Sequence, residues 1–230
     1  YIGYNRFYTQ IYELLKEDYI KAVNLLDESE NDKGKMKVND HLPEHLMIAC
    51  WMGLENVVEN GIIDIFFKKA SSKMRDRAIW FVSQILEVNH PAKNSDEWQR
   101  IKKLWEFRAK NASNEELAIF IRWLKYCPED LDDIVSLIEK IIVWKYQDRE
   151  LLEYLNEKVE INPLSALYLL NDYIKKARYP GERIEIITQI LEKAIKHKNN
   201  PDVVKYINQA VNRLAGEWHF YDFLKLYIEE

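Results

Sequence analysis

Apolar residues along the chain recur at i, i+3, i+4, i+7 and i+8, the spacing that lays one stripe along an α-helix. From Ile134 the stripe runs Ile134, Leu137, Ile138, Ile141, Ile142, and from Ile187 it runs Ile187, Ile190, Leu191, Ala194, Ile195. A second helix follows each time: "LLEYLNEKV" from Leu151 aligns with "VVKYINQAV" from Val203, with Tyr154 opposite Tyr206. A third offers Ala166, Leu169, Leu170, Tyr173, Ile174 against Phe220, Phe223, Leu224, Tyr227, Ile228. The offsets between copies are roughly 53, 52 and 54 residues, drifting only where loops fall. The pattern predicts a three-helix unit of about 50 residues, used over 131–178 and again over 184–230.

A fainter copy spans 72–127. Its helices show Ala78, Phe81, Val82, Ile85, Leu86, then Ile101, Leu104, Trp105, then Leu117, Phe120, Ile121, Leu124, with Lys125 breaking the last stripe. Upstream, Leu46, Ala49, Cys50, Gly53, Leu54 and then Ile62, Ile65, Phe66, Ala70 predict two shorter helices. A first helix from about Arg6 to Glu28 precedes the polar, aperiodic "ESENDKGKMKVND", a loop or tether. The expected organisation is an N-terminal helix and polar loop over 1–41, docked loosely or belonging to a preceding domain. A helical-repeat domain over 42–230 follows.

Helix punctuation agrees with these spans. Asn162 with Pro163 and Asn200 with Pro201 read as helix starts, and Pro128 stops the helix before it. Ser71 or Ser72 can cap "KMRDRAIWFVSQIL", Asn114 can cap "EELAIFIRWLKYC", and Asp40 can cap a helix that starts at "HLPEH". The expected class is all-α, an α-solenoid of armadillo or HEAT type. The unit is longer than the about 34 and 33 residues of tetratricopeptide and ankyrin repeats. The alternative is an irregular helical bundle with a duplicated part.

Composition supports long helices. Only 6 Gly and 6 Pro punctuate 230 residues that are 47% hydrophobic and 31% charged, as in ordered globular chains. Cys50 and Cys127 give no disulfide framework, no apolar run reaches membrane-span length, and the expected compartment is the cytoplasm. The chain opens on Tyr1, as expected of a segment of a longer protein. A formal charge of −5 argues against a generally basic nucleic-acid binder.

The motif "HLPEH" satisfies H-x-x-E-H, in which His41 and His45 would bind metal and Glu44 would act as base. Pro43 places this stretch in a helix's first turn, whereas such ligands need an established helix to share a face. A helix start is the simpler reading. Cys50 and Cys127 read as core thiols. No Gly-rich phosphate loop, nucleophile elbow or paired-Cys zinc spacing occurs. No catalytic residue, metal ligand or cofactor is assigned.

Charge is segregated instead. Residues 68–110 carry 11 Lys and Arg against 5 Asp and Glu, whereas 111–172 carry 6 against 13. The basic segment, with Trp80, Trp98 and Trp105, can pair phosphates and stack bases, or it can hold cations at helix ends while the Trp rings pack inside. Lys73, Arg75, Arg77, Arg100, Lys102 and Lys103 are the candidate partner-binding residues.

The stretch "LPEHLMIACWMG … IIDIFFKKASSKMRDRAIWFVSQIL" resembles a C-terminal helical region of large bacterial multidomain proteins. In these, an effector or nucleotide-binding module, sometimes sirtuin-like, precedes a helical tail, and several are implicated in antiviral defence. The resemblance covers about residues 42–125 and carries no catalytic motif. It implies a sensor or scaffold with its chemistry elsewhere. The expected function is a non-catalytic interaction module for a protein partner or other domains of its own chain, with no membrane role. The alternatives are weak nucleic-acid binding through 68–110 and a metal-dependent hydrolase at His41, Glu44 and His45.

Overall fold

A computed structural model describes residues 2–26, 41–142, 148–177 and 180–215. Among them are eleven α-helices, two 3-10 segments and no strand, so the chain is all-α. The third stripe of the last copy (Phe220, Phe223, Leu224, Tyr227, Ile228) lies outside the described residues, as do the polar stretch 28–40 with Asp40, and His219. The helices divide into two units, residues 1–112 and 113–230. The 72–127 stretch is shared between them.

The first unit contains α1 (Ile2–Asn24), α2 (Leu42–Met52), α3 (Ile62–Lys69), α4 (Ser72–Asn89) and α5 (Asp96–Asn111). α1 packs on α3 and α2, while α2 packs on α4 and α5. Where the sequence left α1 loosely docked, Tyr12, Tyr19, Ala22 and Val23 are buried, and Lys16 pairs with Glu55 at 2.8 Å. Ser71 caps α4, accepting from the Met74 N–H at 3.4 Å. The core face of α4 runs through Ala78, Ile79, Val82 and Leu86. Phe81 and Ile85, expected on the stripe, are only half-buried. The helix is rotated because Ile79 and Ser83 extend the buried face to the other side of Val82.

Two charged residues of this unit, Asp64 and Arg108, are buried. The Asp64 carboxylate accepts from the Asn60 N–H at 2.8 Å and from Lys68 at 2.8 Å. Arg108 on α5 approaches its other oxygen at 3.7 Å and lies 4.9 Å from the centroid of Phe67. Arg108 is therefore more than a cation at a helix C-terminus. It balances a carboxylate that water cannot reach.

The second unit holds α6 (Asn114–Ile119), a 3-10 segment over Phe120–Tyr126, α7 (Leu131–Ile141), α8 (Asp148–Lys158), α9 (Pro163–Lys176), α10 (Ile184–Ile195) and α11 (Pro201–Leu214). α6 is capped by Ser113, one residue before the expected Asn114, and tightens to 3-10 at Phe120. This brings Phe120 and Trp123 to a ring separation of 4.6 Å, both buried.

Packing in this unit follows alternate helices. α7 lies on α9 and α9 on α11, while α8 lies on the 3-10 segment and on α10. The α7, α9 and α11 row starts at 131, 163 and 201. The three-helix period instead makes α7 equivalent to α10, and α8 to α11. Those pairs are not among the principal contacts. Tyr154 and Tyr206, aligned by that period, have different surroundings: the first is buried and the second half-exposed. The third helix of the last copy lies outside the described residues, and the aligned stripes alone do not make the units equivalent, since any amphipathic helix meets the same apolar template.

Basic side chains tie alternate helices together at their C-terminal ends. Lys176 of α9 donates to the Glu139 carbonyl of α7 at 3.2 Å, Lys193 of α10 to the Asn156 carbonyl of α8 at 2.8 Å, and Arg213 of α11 to the Asn171 carbonyl of α9 at 2.9 Å. In the first unit Lys69 of α3 meets the Asn24 carbonyl of α1 at 3.0 Å. The two helices of each of these four pairs thus run parallel, and each cation sits near two negative dipole ends.

Candidate functional site

Arg75, Arg77 and Arg100 among the candidate basic residues are tied into the first unit. Arg75 donates to the Ala70 carbonyl at 2.7 Å and to the Phe67 carbonyl at 3.4 Å, closing the end of α3. Arg77 pairs with Glu44 and approaches His41 Nδ1 at 3.3 Å. Arg100 donates from Nε to the Trp51 carbonyl at 2.9 Å, closing the end of α2. That helix ends on Gly53 at φ 74°, and a Cβ there would meet the Arg100 guanidinium at 3.2 Å, so the site needs glycine on both counts. Lys73 and Lys103 are exposed and Lys102 is half-buried. Trp98 and Trp105 are fully buried, whereas Trp80 is 46% exposed.

"HLPEH" opens α2, with His41 at the N-cap position and Pro43 in the first turn. Glu44 pairs with Arg77. His45 Nδ1 meets the Tyr19 hydroxyl at 3.0 Å, anchoring α1 to α2. Burial and the neighbouring His41 hold the His45 imidazole below the usual histidine range, against a smaller opposing effect of Glu44. No group of three or more potential metal ligands gathers among the described residues. Cys50 is buried on α2, and desolvation pushes its thiol up to about 12.

A groove of about 360 Å³ opens on the second unit, lined by Val135 of α7, Leu164, Ser165 and Tyr168 of α9, and Asp202 and Tyr206 of α11. Each helix contributes from its first two turns. Asp132 holds the row in register, accepting from Asn162 Nδ2 at 2.9 Å and from the Ser165 hydroxyl. Asn162 therefore spends its amide on α7 and makes no side-chain cap for its own helix, whereas Asn200 caps α11 through the Asp202 N–H at 3.0 Å. The Tyr168 hydroxyl donates to Glu139 at 2.8 Å, and this bond raises its pKa. Its ring meets Tyr206 edge to face at 6.2 Å. Beneath, the buried Asn171 amide bridges the Leu167 carbonyl at 2.9 Å and the Tyr206 carbonyl at 3.0 Å.

None of the groove residues was singled out from sequence as a site; Tyr206 entered only as a repeat position. A signal was present. N-P-x-x-x-x-Y occurs at 162–168 and again at 200–206, and it delivers one tyrosine per helix to the same groove. No family model, no curated protein and no solved structure matches the chain. No helix among the described residues is long and apolar enough to cross a membrane.

Proposed function

We propose that the chain is a protein-interaction module, a short solenoid of paired helices that acts as the sensing or scaffolding part of a larger protein. The α7–α9–α11 groove is its docking face. The observation that carries this reading is the groove itself: two half-exposed tyrosines and the exposed Leu164 on one row of parallel helices, repeated through N-P-x-x-x-x-Y. Adjacent repeats present successive strips of a single surface, which suits an elongated partner.

Nucleic-acid binding through 68–110 is the weaker reading, because Arg75, Arg77 and Arg100 are spent on carbonyls and a carboxylate. Affinity purification of the tagged chain from cells that naturally produce it tests the proposal. A specific partner should be retained by wild type and by Glu192→Ala on α10, and lost from a Leu164→Asp, Tyr206→Asp variant that keeps the wild-type unfolding midpoint. Equal retention by the groove variant contradicts the reading, as does selective loss when Lys73 and Lys103 are reversed.

A further inference from the structure

We infer that the groove receives an arginine side chain from an extended segment of the partner; this rests on the interaction reading above and names the chemistry of its occupant. The lining contains one charged group, the exposed Asp202, and no Lys or Arg. Around it stand Glu139, bonded to Tyr168, and Asp132, bonded to Ser165 and Asn162. A phosphate or an acidic segment would enter against these carboxylates with no Lys or Arg in the lining to meet it, and the positive N-terminal ends of α7 and α11 are already answered by Asp132, Asp133 and Asp202 in their first turns. A cation finds the opposite.

The aromatic geometry selects among cations. Tyr168 and Tyr206 meet edge to face, and a guanidinium can lie on one tyrosine face while its edge forks onto the Asp202 carboxylate. Donation of the Tyr168 hydroxyl to Glu139 leaves its phenol oxygen more negative, which strengthens the attraction of that ring for a cation. A lysine ammonium is a more strongly hydrated point charge and cannot both stack and fork. Leu164 and Val135 supply apolar contact for the arginine stem and the flanking chain.

The test uses the whole chain and short fluorescein-labelled Gly/Ser peptides carrying arginine, lysine, glutamine or glutamate, followed by anisotropy and by amide shifts at about 0.15 M salt, where charges screen within about 8 Å. The arginine peptide should saturate, the lysine peptide should bind several-fold more weakly, and the other two should not bind. Shifts should centre on Ser165, Tyr168 and Tyr206. Asp202→Asn and Tyr206→Ala should each weaken the arginine peptide about tenfold, roughly 1.4 kcal/mol. Glu192→Gln, outside the groove, should leave it unchanged. Absence of saturable arginine binding, equal binding of the glutamine peptide, or indifference to both groove substitutions overturns the inference. A partner still lost from the Leu164→Asp, Tyr206→Asp variant in that case leaves the interaction reading standing.

Discussion

Arg213, in the last turn of α11, donates to the backbone carbonyl of Asn171 on α9 at 2.9 Å and reaches its side-chain oxygen at 3.3 Å. The contact joins helices two apart in sequence and aligned in direction, and Lys176, Lys193 and Lys69 repeat it elsewhere. Parallel helices place like dipole ends together, so a shared cation offsets a repulsion that an antiparallel pair would not have. Arg213→Met keeps the apolar stem and removes the charge. It should lower stability by about 1.5 kcal/mol, the low end for a hydrogen bond involving a charged group, because Arg213 is exposed. Lys175→Met, on an exposed position one residue before Lys176, should change it by less than about 0.5 kcal/mol. Urea titration of the two variants separates these outcomes.

Ile138 and Leu191 lie at matching stripe positions and both are fully buried. Replacing either by Ala should cost about 2–5 kcal/mol, through lost transfer energy and an unfilled cavity. The same titration reads it, and a loss below about half a kcal/mol at both would mean that these faces are not core.

The individual helices were legible in the sequence, since the apolar stripe fixes which face of α7, α9 and α10 is buried irrespective of neighbours. Their pairing was not. A stripe records that a face is covered but not by which helix, so α7 and α10 looked equivalent although they pack on α9 and α8 respectively. The polar residues that register the rows, Asp132, Asn162 and Asn171, carried the missing information. Asn162 was read as a helix cap, the commoner role for an Asn before Pro, and its bond to α7 depends on a partner 30 residues away. The basic residues fared likewise: composition showed a charged segment, but not that Arg75 and Arg100 close helix ends.

The buried Asp64 makes a sharp prediction in the first unit. Asp64→Ala would leave Arg108 without the carboxylate that faces it in a site closed to water. Breaking such a pair from one side typically costs about 3–5 kcal/mol. Lys68 is half-exposed, so Lys68→Ala should cost less than about 1 kcal/mol. Thermal and urea unfolding of the two variants checks the contrast. A near-neutral Asp64→Ala would show that Arg108 does not depend on it.

Histidine 45 gives the fold a pH dependence. Its pKa is held below the unfolded value, mainly by burial and by His41, with Glu44 opposing. The unfolded chain therefore takes up a proton first as pH falls. The stability present above the ordinary histidine range should be lost as pH drops through the unfolded and then the folded value. Arg77, on α4, faces the same corner through Glu44 and His41, and Tyr19 meets His45 from α1. Unfolding midpoints between about pH 7.5 and 5, spanning the ordinary histidine value near 6.5, should fall less steeply in His45→Gln than in wild type. Parallel profiles would place the sensitivity elsewhere.

The proposed docking face can be tested most directly in living cells. A photo-crosslinking amino acid placed singly at Tyr168, at Tyr206 or at the exposed Glu192 of α10 reports what lies against each position. Positions 168 and 206 should give one adduct of the same mass, and 192 none of that mass. The crosslinked partner peptide should contain arginine. Adducts from 192 alone, or none from either groove position while Lys73 and Lys103 crosslink, would contradict the proposed docking face.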